Sequence, residues 1–214
     1  MASQYIELKE KTMKHYATLT MCAASLALAG CGGGSSSPTA APPTGVTPAS
    51  YATVDAAAVA MQDTYTDANG DVLAGVTVAS ETEVMNAANA TYSGYVGGDL
   101  TSGGRLVGEL SIAADFASET ATSTATNFFH DTDGAYAGTL SGAGIIVPGA
   151  PGAVPQLSTT IAGDLTNGGS THATSIGLEG DFIASGGDVV AVAGLADGTV
   201  GAGVLFTGTF AAEK

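Results

Sequence analysis

Two cysteines, three histidines and twenty carboxylates are the reactive groups of this 214-residue chain, and their spacing limits the chemistry open to it. His130 and His172 are the histidines beyond the first thirty residues. They would ligate haem iron or a metal if the fold brought them together. Each falls at an expected turn or strand end, where a solvated imidazole is the plainer reading. Asp67-Ala68-Asn69-Gly70-Asp71 opens like a calcium loop, but Val72 and Val78 stand where an EF-hand requires Gly and Glu. That stretch and Asp131-Thr132-Asp133-Gly134 read as hairpin turns. Phe128, Phe129 and Tyr136 could form an aromatic lip. Adjacent residues of a strand point to opposite faces, so one phenylalanine is free to meet either a partner or the N-terminal segment. No Gly-x-Ser-x-Gly, zinc-binding histidine pair or phosphate loop is present, and no catalytic residue, metal or cofactor is assigned. Phe129, His130 and Tyr136 are the candidate ligand-binding residues.

Cys31 closes the stretch Leu28-Ala29-Gly30-Cys31. Ahead of it stand Met13-Lys14-His15 and the mostly apolar run from Tyr16 to Ala29: a charged n-region, a short h-region and a small-residue processing site. The run is shorter than the about 20 apolar residues of a membrane-spanning helix. A Leu-Ala-Gly-Cys ending resembles the lipobox of bacterial lipoprotein signal peptides, in which the peptidase cuts before the cysteine and the thiol takes lipid. The alternative is an ordinary secretory signal with a cysteine near its cleavage site. Gly32-Gly33-Gly34-Ser35-Ser36-Ser37-Pro38 favours the first reading, because a lipid-anchored domain needs a flexible tether. Residues 1–30 are then the signal region, with Met13 as the expected true start. Cys22 is lost with the signal, lipid on Cys31 is the link to the membrane, and no disulfide remains. Gly32 rather than Asp after the cysteine implies the outer membrane, with the domain facing the periplasm or the cell surface, by the sorting rule known of lipoproteins.

Three of the five Lys and Arg and two of the twenty carboxylates precede Cys31, which leaves Arg105 and Lys214 against 18 acidic groups, a formal charge of −16. Such a surface repels phosphate backbones and excludes nucleic acid as a partner. It equally opposes polybasic attachment to anionic lipid. It suits solubility, or a basic partner.

Residues 31–50 form a Gly/Ser/Pro/Thr/Ala tether that as a flexible chain reaches about 25 Å. Roughly 160 residues follow, enough for one domain with a core. Residues 51–89 read as a β-rich or mixed segment. It holds a short Ala-rich helix over 52–63, a hairpin over 65–80 turning at Asn69-Gly70 and returning through Val76-Thr77-Val78, and an ambiguous stretch over 81–89. From Ala90 the hydrophobic period is two. Leu106, Gly108, Leu110, Ile112, Ala114 and Phe116 share a face against Glu109, Ser111, Ala113 and Asp115, and the pattern recurs in Ile176–Ala184 and Val204–Phe210. Turn signals at Ser102-Gly103-Gly104, Asp133-Gly134, Asn167-Gly168-Gly169, Ser185-Gly186-Gly187 and Asp197-Gly198 separate the runs. The strands so defined are 90–99, 105–117, 121–129, 135–146, 156–166, 171–184, 189–195 and 200–211. The expected fold is therefore all-β: an antiparallel up-and-down barrel of about eight strands over 90–214, with Leu110, Ile112, Phe116, Leu178, Phe182, Phe206 and Phe210 inward. Glycines within the strands help a sheet bend into a small barrel.

Ala90-Thr91-Tyr92-Ser93-Gly94, the run Gly108–Phe116, Thr126-Asn127-Phe128-Phe129, the run Tyr136–Leu140 and the closing Gly203–Phe210, behind a Cys-Gly-Gly-Gly tether, carry a resemblance. Together they resemble the β-barrel domain of transferrin-binding protein B and related surface lipoproteins. The resemblance covers residues 90–214 and the anchor. It implies an eight-stranded barrel on the outer membrane, often beside a smaller β-rich handle, and binding of iron or haem carriers or other proteins. The chain departs from the family in having room for one barrel rather than two lobes. The family's Phe-Tyr-Gly-Pro signature is also absent, with Asn127-Phe128-Phe129-His130-Asp131 near its place. No ligand contact of the family carries over to a named residue.

The expected function is non-catalytic binding of a protein or a small ligand such as haem, through the strand-end loops 129–135 and 147–156. A structural envelope lipoprotein with no soluble ligand is the alternative. A membrane-spanning barrel is disfavoured, because Glu109, Asp115, Glu179 and Asp181 fall on the outward face.

Overall fold

A computed structural model describes residues 49–147 and 154–214. The signal region, Met13, Cys31, the tether up to residue 48 and the centre of the 147–156 loop lie outside the described residues. Two helices, α1 (Tyr51–Tyr65) and α2 (Glu81–Asn86), precede nine strands. The strands are β1 (Ala90–Leu100), β2 (Arg105–Asp115), β3 (Thr120–His130), β4 (Gly134–Tyr136), β5 (Leu140–Val147), β6 (Gln156–Asn167), β7 (Ser170–Ser185), β8 (Asp188–Val200) and β9 (Leu205–Glu213). Eight of them close a ring in the order β1-β2-β3-β5-β6-β7-β8-β9-β1, every neighbour antiparallel. The all-β, up-and-down, eight-stranded barrel is as expected.

The pairing register fixes the barrel's geometry. Hydrogen-bonded partners lead from Tyr92 to Ile112, Ser123 and Gly142. Ser141 pairs Ala162 and Gly144 pairs Thr159, which sets Gly142 opposite Ile161. From there the path runs through Ile176, Gly198 and Phe206 to Leu100, eight residues beyond Tyr92 on the same strand. Eight strands staggered by eight residues tilt about 36° to the axis, and inward residues at one height then come from alternate strands.

Leu110, Ile112, Phe116, Leu178, Phe182, Phe206 and Phe210 are all buried in one core cluster with Tyr92, Phe128 and Ile161. Several rings lie over glycines. A Cβ on Gly108 would stand 2.6 Å from Phe128 Cδ1, and one on Gly180 2.8 Å from Phe210 Cζ. Those positions are side-chain-free because an aromatic ring fills the space.

Three details differ from the sequence reading. The run 135–146 is two strands: β4 turns back on β3, Phe128 facing Tyr136, and Gly138 at φ 135° separates it from β5. Asp197-Gly198 is not a turn but strand interior, Asp197 pairing with both Gly177 and Thr207. The reversal occurs instead at Gly201 and Gly203, with φ 69° and 79°, so the last strand starts at Leu205. Gly198 serves close packing: a Cβ there would run into Ser175 O of β7. Within 51–89, the Asn69-Gly70 turn holds, closed by a Thr66–Val72 bridge. Val76–Val78 does not return to Tyr65, however; Val78 bridges Ile183 of β7, and Val76 packs on Ile183, Ala191, Ala193 and Ala211.

Helix α1 is favoured by its alanines and capped at Ser50, whose Oγ accepts from Thr53 N. Its buried residues Val54, Ala58 and Gln62, four apart, lie on the outer wall, where Val107, Tyr95 and Phe129 meet it. Helix α2 opens with a reciprocal Ser80–Glu83 capping box and, with Ala79 and Val84 buried in the barrel core, stops one mouth.

Candidate functional site

Strand directions place the β1–β2, β3–β4, β6–β7 and β8–β9 connections at one end of the barrel. Ser50 lies at that end too, since Asp55 of α1 meets Arg105 at the start of β2. The two nominated loops are thus on opposite ends: 129–135 beside Ser50, and 147–156 at the far end.

A bulge shapes the first loop. Gly108 of β2 faces both Asn127 and Phe128, and Asn127 sits at φ 52°. The extra residue reverses the alternation of β3. Phe128 and His130 therefore turn inward, while Phe129 turns out beneath α1. Of the two partners open to that phenylalanine, α1 is the one it packs against.

His130 is buried, 4% exposed, rather than solvated as its place at a strand end suggested. Its Nδ1 accepts from Asp133 N at 3.1 Å and Thr132 N at 3.4 Å, which leaves Nε2 to donate to Gly103 O at 3.2 Å. Asp131 Oδ1 and Asp133 Oδ2 stand 3.4 and 3.3 Å from Nδ1. Both ring nitrogens are engaged by the protein. Tyr136 is buried, its ring between those of His130 and His172, with centroids 6.4 and 5.6 Å away. Its Oη donates to Asp133 Oδ2 at 3.2 Å, and burial, then the Asp133 charge, raise its pKa. Asn167 Nδ2 ties the loop down from β6, donating to Asp133 O and Ala135 O. Thr132 Oγ1, donating at 2.9 Å, holds the Asp131 carboxyl below its ordinary range.

Phe129, His130 and Tyr136 are thus the frame of this rim, and His130 and Tyr136 adjoin while Phe129 belongs to the outer wall. What the loop shows to solvent is Asp131, Thr132 and Asp133. Among the described residues no group of three His, Cys, Asp or Glu side chains is placed to hold a metal ion.

The sequence reading passed over Arg105. Its Nε donates to Asp55 Oδ1 at 2.9 Å and its Nη2 to Gln62 Oε1 at 3.2 Å, while Gln62 Nε2 donates to Thr209 O at 2.8 Å. This chain of contacts fastens α1 to β2 and β9. The one signal for it was a single arginine in a domain nearly devoid of cations.

At the far end Ile145, Val147 and Val154 are exposed, at 55%, 42% and 41%. Ile146, between the first two, points into the core. No family model, curated protein or solved structure matches the chain.

Proposed function

We propose that this protein is a lipid-anchored envelope protein, held through Cys31 at the outer membrane, whose barrel binds a protein partner without catalysis, in the manner of the transferrin-binding-protein-B-like lipoproteins it resembles. The observation that carries the reading is the exposed apolar trio Ile145, Val147 and Val154 at the end opposite Ser50. That end lies away from Ser50, and the rim beside Ser50 has its aromatic groups buried. The packed interior supports recognition by the outer surface rather than inside the barrel. The strongly acidic surface suits a partner carrying basic groups around an apolar contact.

The test is a pull-down from the native growth environment with the full lipidated chain and with an Ile145→Ser/Val147→Ser variant. Loss of a partner with this variant but not with Asp131→Asn/Asp133→Asn supports the far-end surface. Retention by both overturns the far-end surface, and no partner at all favours the structural envelope role instead. A Cys31→Ser chain that still takes palmitate label and still sediments with membranes overturns the anchor.

A further inference from the structure

Tyr92 Oη, Ser123 Oγ and Thr159 Oγ1 are buried side-chain atoms with no hydrogen-bond partner among the described residues. All three side chains face the barrel interior, at 0%, 1% and 5% exposure. Such groups lose the hydrogen bonds they make with water, which destabilises the fold when nothing replaces them.

The stagger of eight shows why no protein group answers them. Stepping down one residue per strand from the hydrogen-bonded path puts Ser123 of β3 and Thr159 of β6 in one layer, whose other members are Gly94 of β1 and Gly194 of β8. Two of four positions in that layer carry no side chain. Tyr92 belongs to the layer next below on β1. Between β3 and β6 runs β5, whose inward residue Gly144 also lacks a side chain, and Thr159 Cβ leans into the place a Cβ there would take. The two hydroxyls therefore flank glycine. Burial raises the Tyr92 pKa to about 12, so its hydroxyl keeps its proton and can donate.

We propose that the barrel interior is a binding site for one ordered water molecule, held by the hydroxyls of Tyr92, Ser123 and Thr159. Three polar partners are the usual complement of a buried water. Serine and threonine hydroxyls both donate and accept, so the three groups satisfy a water whichever way it turns.

The test is NMR on the full chain: water-to-protein rotating-frame Overhauser transfer at amides next to the three residues, with oxygen-17 relaxation dispersion to count long-lived waters. The wild type should show a long-lived water there, and Ser123→Ala/Thr159→Val should lose it. Absence from the wild type, or an unchanged count in the variant, overturns the proposal. If the double variant does not fold, Tyr92→Phe decides. A bridging water makes that change lower the Tm by about 2–4 °C. A hydroxyl with no water makes it neutral or stabilising.

Discussion

Gln62 joins three elements with one amide: buried on α1, it donates to Thr209 O of β9 and accepts from Arg105 of β2. Truncation leaves a buried carbonyl unanswered, so Gln62→Ala should cost about 1–3 kcal/mol, read as a lowered urea midpoint at unchanged slope. Arg105→Lys should not rescue the clamp, because one ammonium cannot address Asp55 and Gln62 with the geometry of a guanidinium. None of this was legible in the chain. Asp55 and Gln62 lie 50 and 43 residues before Arg105, and their meeting with it depends on where α1 crosses the wall. His130 was misplaced for a related reason: a strand end reads as solvated unless one knows that the bulge at Asn127 turns it inward.

At the scale of elements, period-two alternation located most strands because one face of each is buried. It faltered where that condition fails. In β8, Val189, Ala191, Val192 and Ala193 are all buried, since α1 and the 76–78 segment cover the outer wall that ordinarily meets water. Turn chemistry misled at Asp197-Gly198 because glycine there answers the approach of β7 rather than a reversal of the chain. The assigned faces can be checked directly. Phe182→Ala should cost about 3–5 kcal/mol, whereas Thr207→Ala, exposed on the outer face, should stay within about 0.5 kcal/mol. Equal losses would refute the register. Helix α2 depends on its cap, and Ser80→Ala should cost about 0.5–2 kcal/mol. Faster amide exchange at Val84 and Ala87, with β3 unaffected, would show that this mouth loosens alone.

For the whole molecule, alkaline pH is the informative axis. Burial pushes the Tyr92 pKa from 10.0 to about 12, and burial followed by the Glu213 contact does the same for Tyr65. The folded state favours the neutral phenols. Their contribution is complete below pH 10, the unfolded value, and is lost as pH rises through about 12. Melting temperature should therefore fall over that interval, and less steeply in Tyr65→Phe. A flat profile to pH 12 would contradict the burial of both rings. On the acid side, hydrogen bonds from Ser80 hold the Glu83 carboxyl below 4.5, so the support it lends to α2 persists above the unfolded value and fades as pH drops through the folded one.

The seam between β1 and β9 also governs when the barrel can exist. Ser93 pairs with Glu213 and Leu100 with Phe206, so the ring closes through residues more than a hundred positions apart. A chain growing from its N-terminus can form the early hairpins in turn, but the cylinder waits for β9. Until β9 arrives, β1 and β8 stand as unpaired sheet edges, open to association with other chains. Such non-local closure is slow. Completion of the barrel therefore waits on β9, and chains lacking 205–214 should accumulate as aggregates rather than as barrels one strand short.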